Sequence, residues 1–214
     1  EVGICLKTSF EWRHKILAAI RALEGGISFS GIVEADELLM NYSEKGRKFK
    51  NKEEYRKAKK KKHPKVAVLV VTDREGNLLF KQVGEKKVKN EQLREELKNR
   101  LSENNLICVK PKKEFRKGVK GLQSKKVIVN KRQIKRGIYS VKIVENKISD
   151  FKTWLSRFHG VATKYLQSYL MWFVIMNKYL KELIDSDIGR LLNLSSHDRW
   201  AWDKYREIVS QKYE

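Results

Sequence analysis

Residues 31 to 40 read GIVEADELLM, and no other stretch of the chain constrains its fold as much. The run has the apolar character of a strand inside a sheet, yet Glu34, Asp36 and Glu37 sit in its middle. A strand covered on both faces reads as nearly continuous Val, Ile and Leu, and burying an unpaired carboxylate costs several kcal/mol or forces it to protonate. The acids therefore need partners. Side chains alternate across a strand, so Ile32, Glu34, Asp36 and Leu38 share one side while Val33, Ala35, Glu37 and Leu39 share the other. Two carboxylates on one face admit three explanations: a bound cation, a Lys or Arg partner, or an edge strand whose acids face water.

The rest of the chain narrows the partner. It has 214 residues, 41% of them hydrophobic, enough for one sizeable core with a small appendage or for two small domains. Against 26 Asp and Glu stand 48 Lys and Arg, a formal net charge of +22. That excess exceeds what solubility requires and points to a polyanion. Nucleic acid is favoured over membrane, because the most apolar run, YLMWFVIM at 169 to 176, is short and lies between Lys164 and Lys178. No signal peptide is visible. Cys5 and Cys108 form no metal-ligand spacing, which fits a reducing cytosol. The first residue is Glu1 rather than Met, directly before a structured-looking segment, as expected of a piece whose true N-terminus lies upstream.

Along the chain, TSFEWRHKILAAIRALEGG reads as a helix capped by Thr8 or Ser9 and stopped at Gly25 and Gly26. It is either the last helix of a helix-turn-helix or an ordinary amphipathic packing helix. The segment 41 to 64 carries eleven basic residues against three acids and is expected to be a solvated loop or a phosphate-binding arm. Strands are expected at 65 to 72 and 77 to 83, joined as a hairpin through Asp73 to Asn77, then at 106 to 111 and 126 to 134. A helix capped by Asn90 separates them, with Leu93, Leu97 and Leu101 at four-residue spacing. From Val144 the period turns helical: one helix through Phe158, a second from Tyr165 to Leu180, and a last one from Ser196. An acidic first strand, two antiparallel strands, helix, strand, helical link, strand and terminal helices is the order of an RNase H-like α/β sheet, mixed, five-stranded and flanked by helices. Expected units are 1 to 26, a helix-turn-helix remnant; 27 to 184, the RNase H-like domain; and 185 to 214, a helical extension.

Four stretches, TSFEWRHKILAAIRAL, GIVEADELLMNYSEKGRK, VLVVTDREGN and above all FKTWLSRFHGVATKYLQSYLMWF, closely resemble bacterial insertion-sequence transposases with a DDE-type, ISXO-two-like catalytic domain. The resemblance covers nearly the whole chain up to about residue 180. It implies DNA cleavage and strand transfer by two Mg²⁺ or Mn²⁺ ions held roughly 4 Å apart by three carboxylates. The first carboxylate falls on Asp36, within a Glu-x-Asp-Glu pattern that Glu34 and Glu37 also match. The second should end the strand after Ile107 and Cys108, but Lys110 occupies the position. The third falls on Glu145, with Lys152 kept further along the helix and Ile148 where the family has His.

A lysine in place of a shared ligand removes a donor and repels a divalent ion. The expectation is therefore an Asp36 to Lys110 pair where the metal site was, with Glu114 as a substitute ligand in the alternative. The catalytic set by resemblance is Asp36, Glu145 and Lys152, with metal on Asp36 and Glu145 if the enzyme is active and none otherwise. Duplex DNA, including element terminal repeats, is the expected partner, contacted by Arg13, Lys15, Lys45, Arg47, Lys48, Lys59, Lys60, Lys61, Lys62, Arg157 and Lys164. A homo-oligomer, no membrane and a bacterial cytoplasmic, nucleoid-associated location complete the expectation. A ribosome or RNA-associated protein would explain the charge but not the acids of strand 31 to 40. None of His14, His63, His159 and His197 is expected to act as base or ligand; Ser195, Ser196 and Asp198 around His197 read as a helix cap. Most tryptophans are expected in the core, with Trp12, Trp200 and Trp202 exposed.

Overall fold

The computed structural model describes residues 3–20, 25–60, 63–130, 138–179 and 199–210. Its centre is β1 (Ile32–Met40), the strand that carries the acids. β2 (Val66–Asp73) and β3 (Leu78–Glu85) follow as an antiparallel hairpin, while β4 (Leu106–Val109) and β5 (Lys125–Ile128) add on the other side, parallel to β1. The order across the sheet is β3-β2-β1-β4-β5. Three antiparallel strands continued by two parallel ones make the mixed five-stranded sheet of an RNase H-like fold.

Helices cover both faces. α3 (Asn90–Lys98) and α4 (Lys113–Lys120) lie on one, where Leu93, Leu97, Phe115 and Val119 pack with Val33, Ala35, Leu69, Val71 and Ile107. These two helices approach at Gly118, where a Cβ would come within 2.4 Å of Leu93 Cδ2, so glycine is what the contact admits. α5 (Lys142–Ser156) and α6 (Leu166–Tyr179) cover the other face, packing Val144, Phe151, Leu170 and Phe173 on Leu38, Val68, Val70 and Phe80. α1 (Leu6–Ile20) adds Leu17 to that core and packs against α6 and α7 (Arg199–Ser210). A 3-10 turn, Thr163–Tyr165, leads into α6. Two-sided coverage explains the continuous Val and Leu of β2, buried along its whole length. It also explains YLMWFVIM, which is core helix; among the described residues no helix is long and apolar enough to cross a membrane.

Several local expectations shift. α1 starts at Leu6, and its first turn is held by Cys5, whose Sγ accepts from the Thr8 N–H at 3.5 Å and whose carbonyl accepts from the Ser9 N–H, so Thr8 and Ser9 are inside the helix. α3 is opened by Lys89, whose N–H donates to Gln92 Oε1 at 3.0 Å, rather than by Asn90. The fourth strand ends at Val109, since Pro111 lacks the N–H that a ladder needs. The fifth runs Lys125–Ile128, residues 129 and 130 are not strand, and the rest of its expected span, 131 to 134, lies outside the described residues. The basic segment is not all loop: α2 (Lys52–Lys60) forms within it, begun by Asn51 Oδ1 accepting from the Glu54 N–H, and buries no residue. Trp12 is 54% exposed as expected, whereas Trp200 and Trp202 carry no described side chain.

Candidate functional site

The three expected catalytic positions converge where the parallel strands end. β1 and β4 pair from Ile32 with Leu106 to Ala35 with Val109, so Asp36 is the next residue of β1 and Lys110 the first residue past the end of β4. α5 supplies Glu145 from its first turn. That helix is placed by Glu34. The Glu34 carboxylate is fully buried and accepts from the Ile143 and Val144 N–H groups at 2.8 and 3.1 Å, and from Ser140 Oγ at 3.0 Å. Helix N-termini carry unpaired N–H donors and a partial positive charge, so a carboxylate from a neighbouring strand is a natural cap. Burial raises the pKa of Glu34, against the opposing pull of the Val144, Ser140 and Ile143 donors.

Beside it, Asp36 is 3% exposed and is met by lysines. Lys110 Nζ lies 2.5 Å from Asp36 Oδ2 and 2.6 Å from Glu145 Oε1, bridging the two carboxylates. Lys112, two residues on, reaches Asp36 Oδ1 at 3.3 Å and Glu37 Oε1 at 2.8 Å, with its ammonium 5.7 Å from the centre of the Phe115 ring. Glu37 also accepts from the Val88 N–H at 3.1 Å, on the opposite face of the sheet from Asp36. Burial disfavours the Lys110 cation, but hydrogen bonds to Asp36 and Glu145 outweigh it and its pKa is raised. Lys110 is thus held charged.

DDE transposases typically use divalent metal, but these residues do not fit one. The oxygens that would hold the ion are taken by an ammonium. A divalent cation about 3 Å from that ammonium would meet a repulsion of about 10 kcal/mol at an effective dielectric constant of about 20. Glu114, the alternative ligand, is turned away and paired with Lys87. Among the described residues no group of three or more His, Cys, Asp or Glu is placed to hold a metal ion. Lys152, exposed on α5 two turns after Glu145, takes no part in this cluster.

The basic residues divide. Lys48, Lys59, Lys60 and Arg157 are exposed, and Lys61 and Lys62 lie outside the described residues. Lys45 and Arg47 are engaged within the fold. Lys45 Nζ donates to the carbonyls of Phe158, His159 and Gly160 at 3.1, 3.0 and 2.9 Å, beyond the end of α5. Arg47 bonds Glu44 at 2.8 Å and Glu54 at 3.1 Å. Lys15 is half-buried on α1, and Arg13 and Lys164 line a cavity beside that helix. His63 stacks on Tyr42 at 4.5 Å, His159 is exposed in a turn with φ 49°, and Ser195 to Asp198 are outside the described residues. Sequence reasoning missed Lys112, although the spacing Lys110-Pro111-Lys112 in an extended segment puts two cations on one side. It also missed Glu34 as a helix cap, since its donors lie more than 100 residues away.

The sheet is RNase H-like, with acids in the middle of its central strand and a lysine among them. The ISXO2-like transposase domain matches residues 28–175, and the chain belongs to that family. Two solved structures are also similar, one described as "Crystal structure of a pre-cleavage Mos1 transpososome" and one as "Crystal structure of the Mos1 Strand Transfer Complex". The first is 12% identical with a TM-score of 0.38 and the second 15% identical with a TM-score of 0.34. Each match covers 95% of this chain, which spans 64% and 63% of the length of those chains. No curated protein matches.

Proposed function

We propose that this chain is a DNA-binding member of the transposase family whose nuclease centre has been converted into a salt-bridge cluster. The observation that carries the reading is the Lys110 ammonium, bonded to Asp36 at 2.5 Å and Glu145 at 2.6 Å. An ammonium neutralises these carboxylates much as a cation would, yet it cannot polarise a phosphoryl oxygen or generate a nucleophile as a bound metal does. The sheet and helices are kept while the chemistry is lost. The net charge of +22, with exposed Lys48, Lys59, Lys60 and Arg157, supports duplex DNA as partner, element ends included. A homo-oligomer acting in the bacterial cytoplasm accords with the family.

Nicking and strand-transfer assays with Mg²⁺ and Mn²⁺ on DNA carrying candidate element ends test this. The unmodified protein is expected to be silent, and Lys110→Asp to gain activity that Asp36→Asn then removes. Activity in the unmodified protein that disappears with Asp36→Asn would instead establish a working two-metal transposase, with Asp36 and Glu145 as ligands.

A further inference from the structure

A second feature lies apart from the acidic cluster, between α1 and the turn that opens α6. It is a cavity of about 460 Å³, within the range of about 300–1,000 Å³ usual for small-molecule sites. Its lining is aromatic: Phe10 and His14 from α1, Phe158 after α5, then Tyr165 and Tyr169. Arg13 and Lys164 add two cations. The wall is assembled by its own bonds. The Ser43 N–H donates to Thr163 Oγ1 at 2.9 Å, the Thr163 N–H returns to the Ser43 carbonyl at 2.8 Å, and Lys45 fastens the carbonyls of Phe158 to Gly160.

His14 is the residue that packing does not explain. It is 2% exposed, stacked on Tyr165 at 4.1 Å and lies 4.3 Å from Phe10. Neither ring nitrogen has a hydrogen-bond partner among the described residues. Buried polar atoms are nearly always paired, and a site that needed only a ring would be filled as well by Phe or Leu. Burial lowers the pKa of His14 to about 4, with Arg13 and Lys164 adding to the effect, so the ring is neutral near pH 7. A neutral imidazole carries one donor and one acceptor, the complement of a nucleobase edge. The Arg13 guanidinium has no hydrogen bond or ion pair among the described residues, although a basic rim is what a phosphate requires.

We propose that this cavity receives one unstacked nucleotide, its base among Phe10, Tyr165 and Tyr169 with an edge against His14, and its phosphate on Arg13 and Lys164. Aromatic platforms accept any base because every base has a π-face, and a nucleotide already unpaired costs least to withdraw from a duplex. The DNA-binding reading supplies the source, a strand with an unpaired nucleotide. The cavity chemistry by itself would equally take a free mononucleotide.

The test pairs two labelled duplexes of identical sequence, one fully paired and one with a single unpaired thymidine, in fluorescence anisotropy. Alongside, dTMP and inorganic phosphate are titrated separately while the His14 ring proton resonances are followed by NMR. The unpaired duplex is expected to bind on the order of tenfold tighter than the paired one. That preference should vanish in His14→Leu and in Phe10→Leu, a milder change at a ring already 39% exposed. dTMP should shift the His14 resonances, and phosphate should shift them much less. Equal affinity for both duplexes with no His14 shift would overturn the proposal, as would phosphate matching dTMP, or a preference that survives both variants. A dTMP shift without binding to either duplex would support the nucleotide site and sink the DNA-binding reading instead.

Discussion

Glu34 and Asp36 stand two residues apart on the same face of β1, both nearly inaccessible, and are satisfied in opposite ways. Glu34 accepts neutral donors, two backbone N–H groups and one hydroxyl. Asp36 is matched by ammonium groups on Lys110 and Lys112. The first arrangement builds the fold, because it fastens a helix to a strand through backbone N–H groups and a hydroxyl that carry no charge. The second leaves the fold alone and is decided by single side chains at a strand end, so one substitution can rewrite it. Within one strand, Glu34 is held by neutral donors of the fold and Asp36 by side-chain cations.

Four measurements break or sharpen that contrast. Glu34→Ala should have the largest effect, a loss of about 3 kcal/mol in chemical denaturation, since it strands buried donors. Glu34→Gln, which can still accept from both N–H groups, should cost under about 1 kcal/mol. Equal losses for the two would show that shape, not hydrogen bonding, sets the position.

Lys110→Ala comes next at about 2 kcal/mol, below the usual cost of breaking a buried pair because Lys110 is 25% exposed and Lys112 still faces Asp36. Lys110→Asp should be destabilised without metal and gain several degrees in Tm with millimolar Mg²⁺, while the unmodified protein gains none. A Mg²⁺-dependent rise in the unmodified protein would contradict the salt-bridge reading.

The pH dependence separates the two ends of the strand face and His14. The raised pKa of Glu34 means the folded protein holds a proton that the unfolded chain releases, so stability falls as pH rises from the ordinary value, 4.5, through the folded one. Glu34→Gln should remove that component, seen as the difference between the two proteins from pH 4 to 7. Lys110, also raised, contributes stability that is present below its ordinary value of 10.5 and lost above it, so its component should be flat from pH 6 to 9. His14 runs the other way: lowered from 6.5 to about 4, it makes stability fall as pH drops through that interval. About 3 kcal/mol should be at stake, absent in His14→Leu.

The smallest effects belong to the exposed arm. Lys59→Gln or Lys60→Gln should each weaken DNA binding alike across sequences and lower the log-log salt slope by about 1. Unchanged slopes would place the duplex elsewhere.

The element order could be read from the chain because its patterns change cleanly, from an apolar run with acids set into it in β1 to continuous apolar residues in β2 and a helical period from Val144 on. The Asp36 to Lys110 pair was legible as well, through the family's motif positions and Coulomb's law. What escaped was tertiary. Cys5 caps α1 by a sulfur that ordinary capping rules do not rank, and Lys45 reaches three carbonyls at 158 to 160. Such partners are far apart in sequence and invisible to any local pattern.

Lys45 has a mechanical consequence. Its ammonium grips the chain just past α5, and the other end of that helix bears Glu145. Fifteen helical residues make a rod of about 22 Å that does not stretch. Lys45, together with the Ser43–Thr163 pair, thus ties the basic segment to the chain just past α5, the same helix whose first turn presents Glu145 to the cluster.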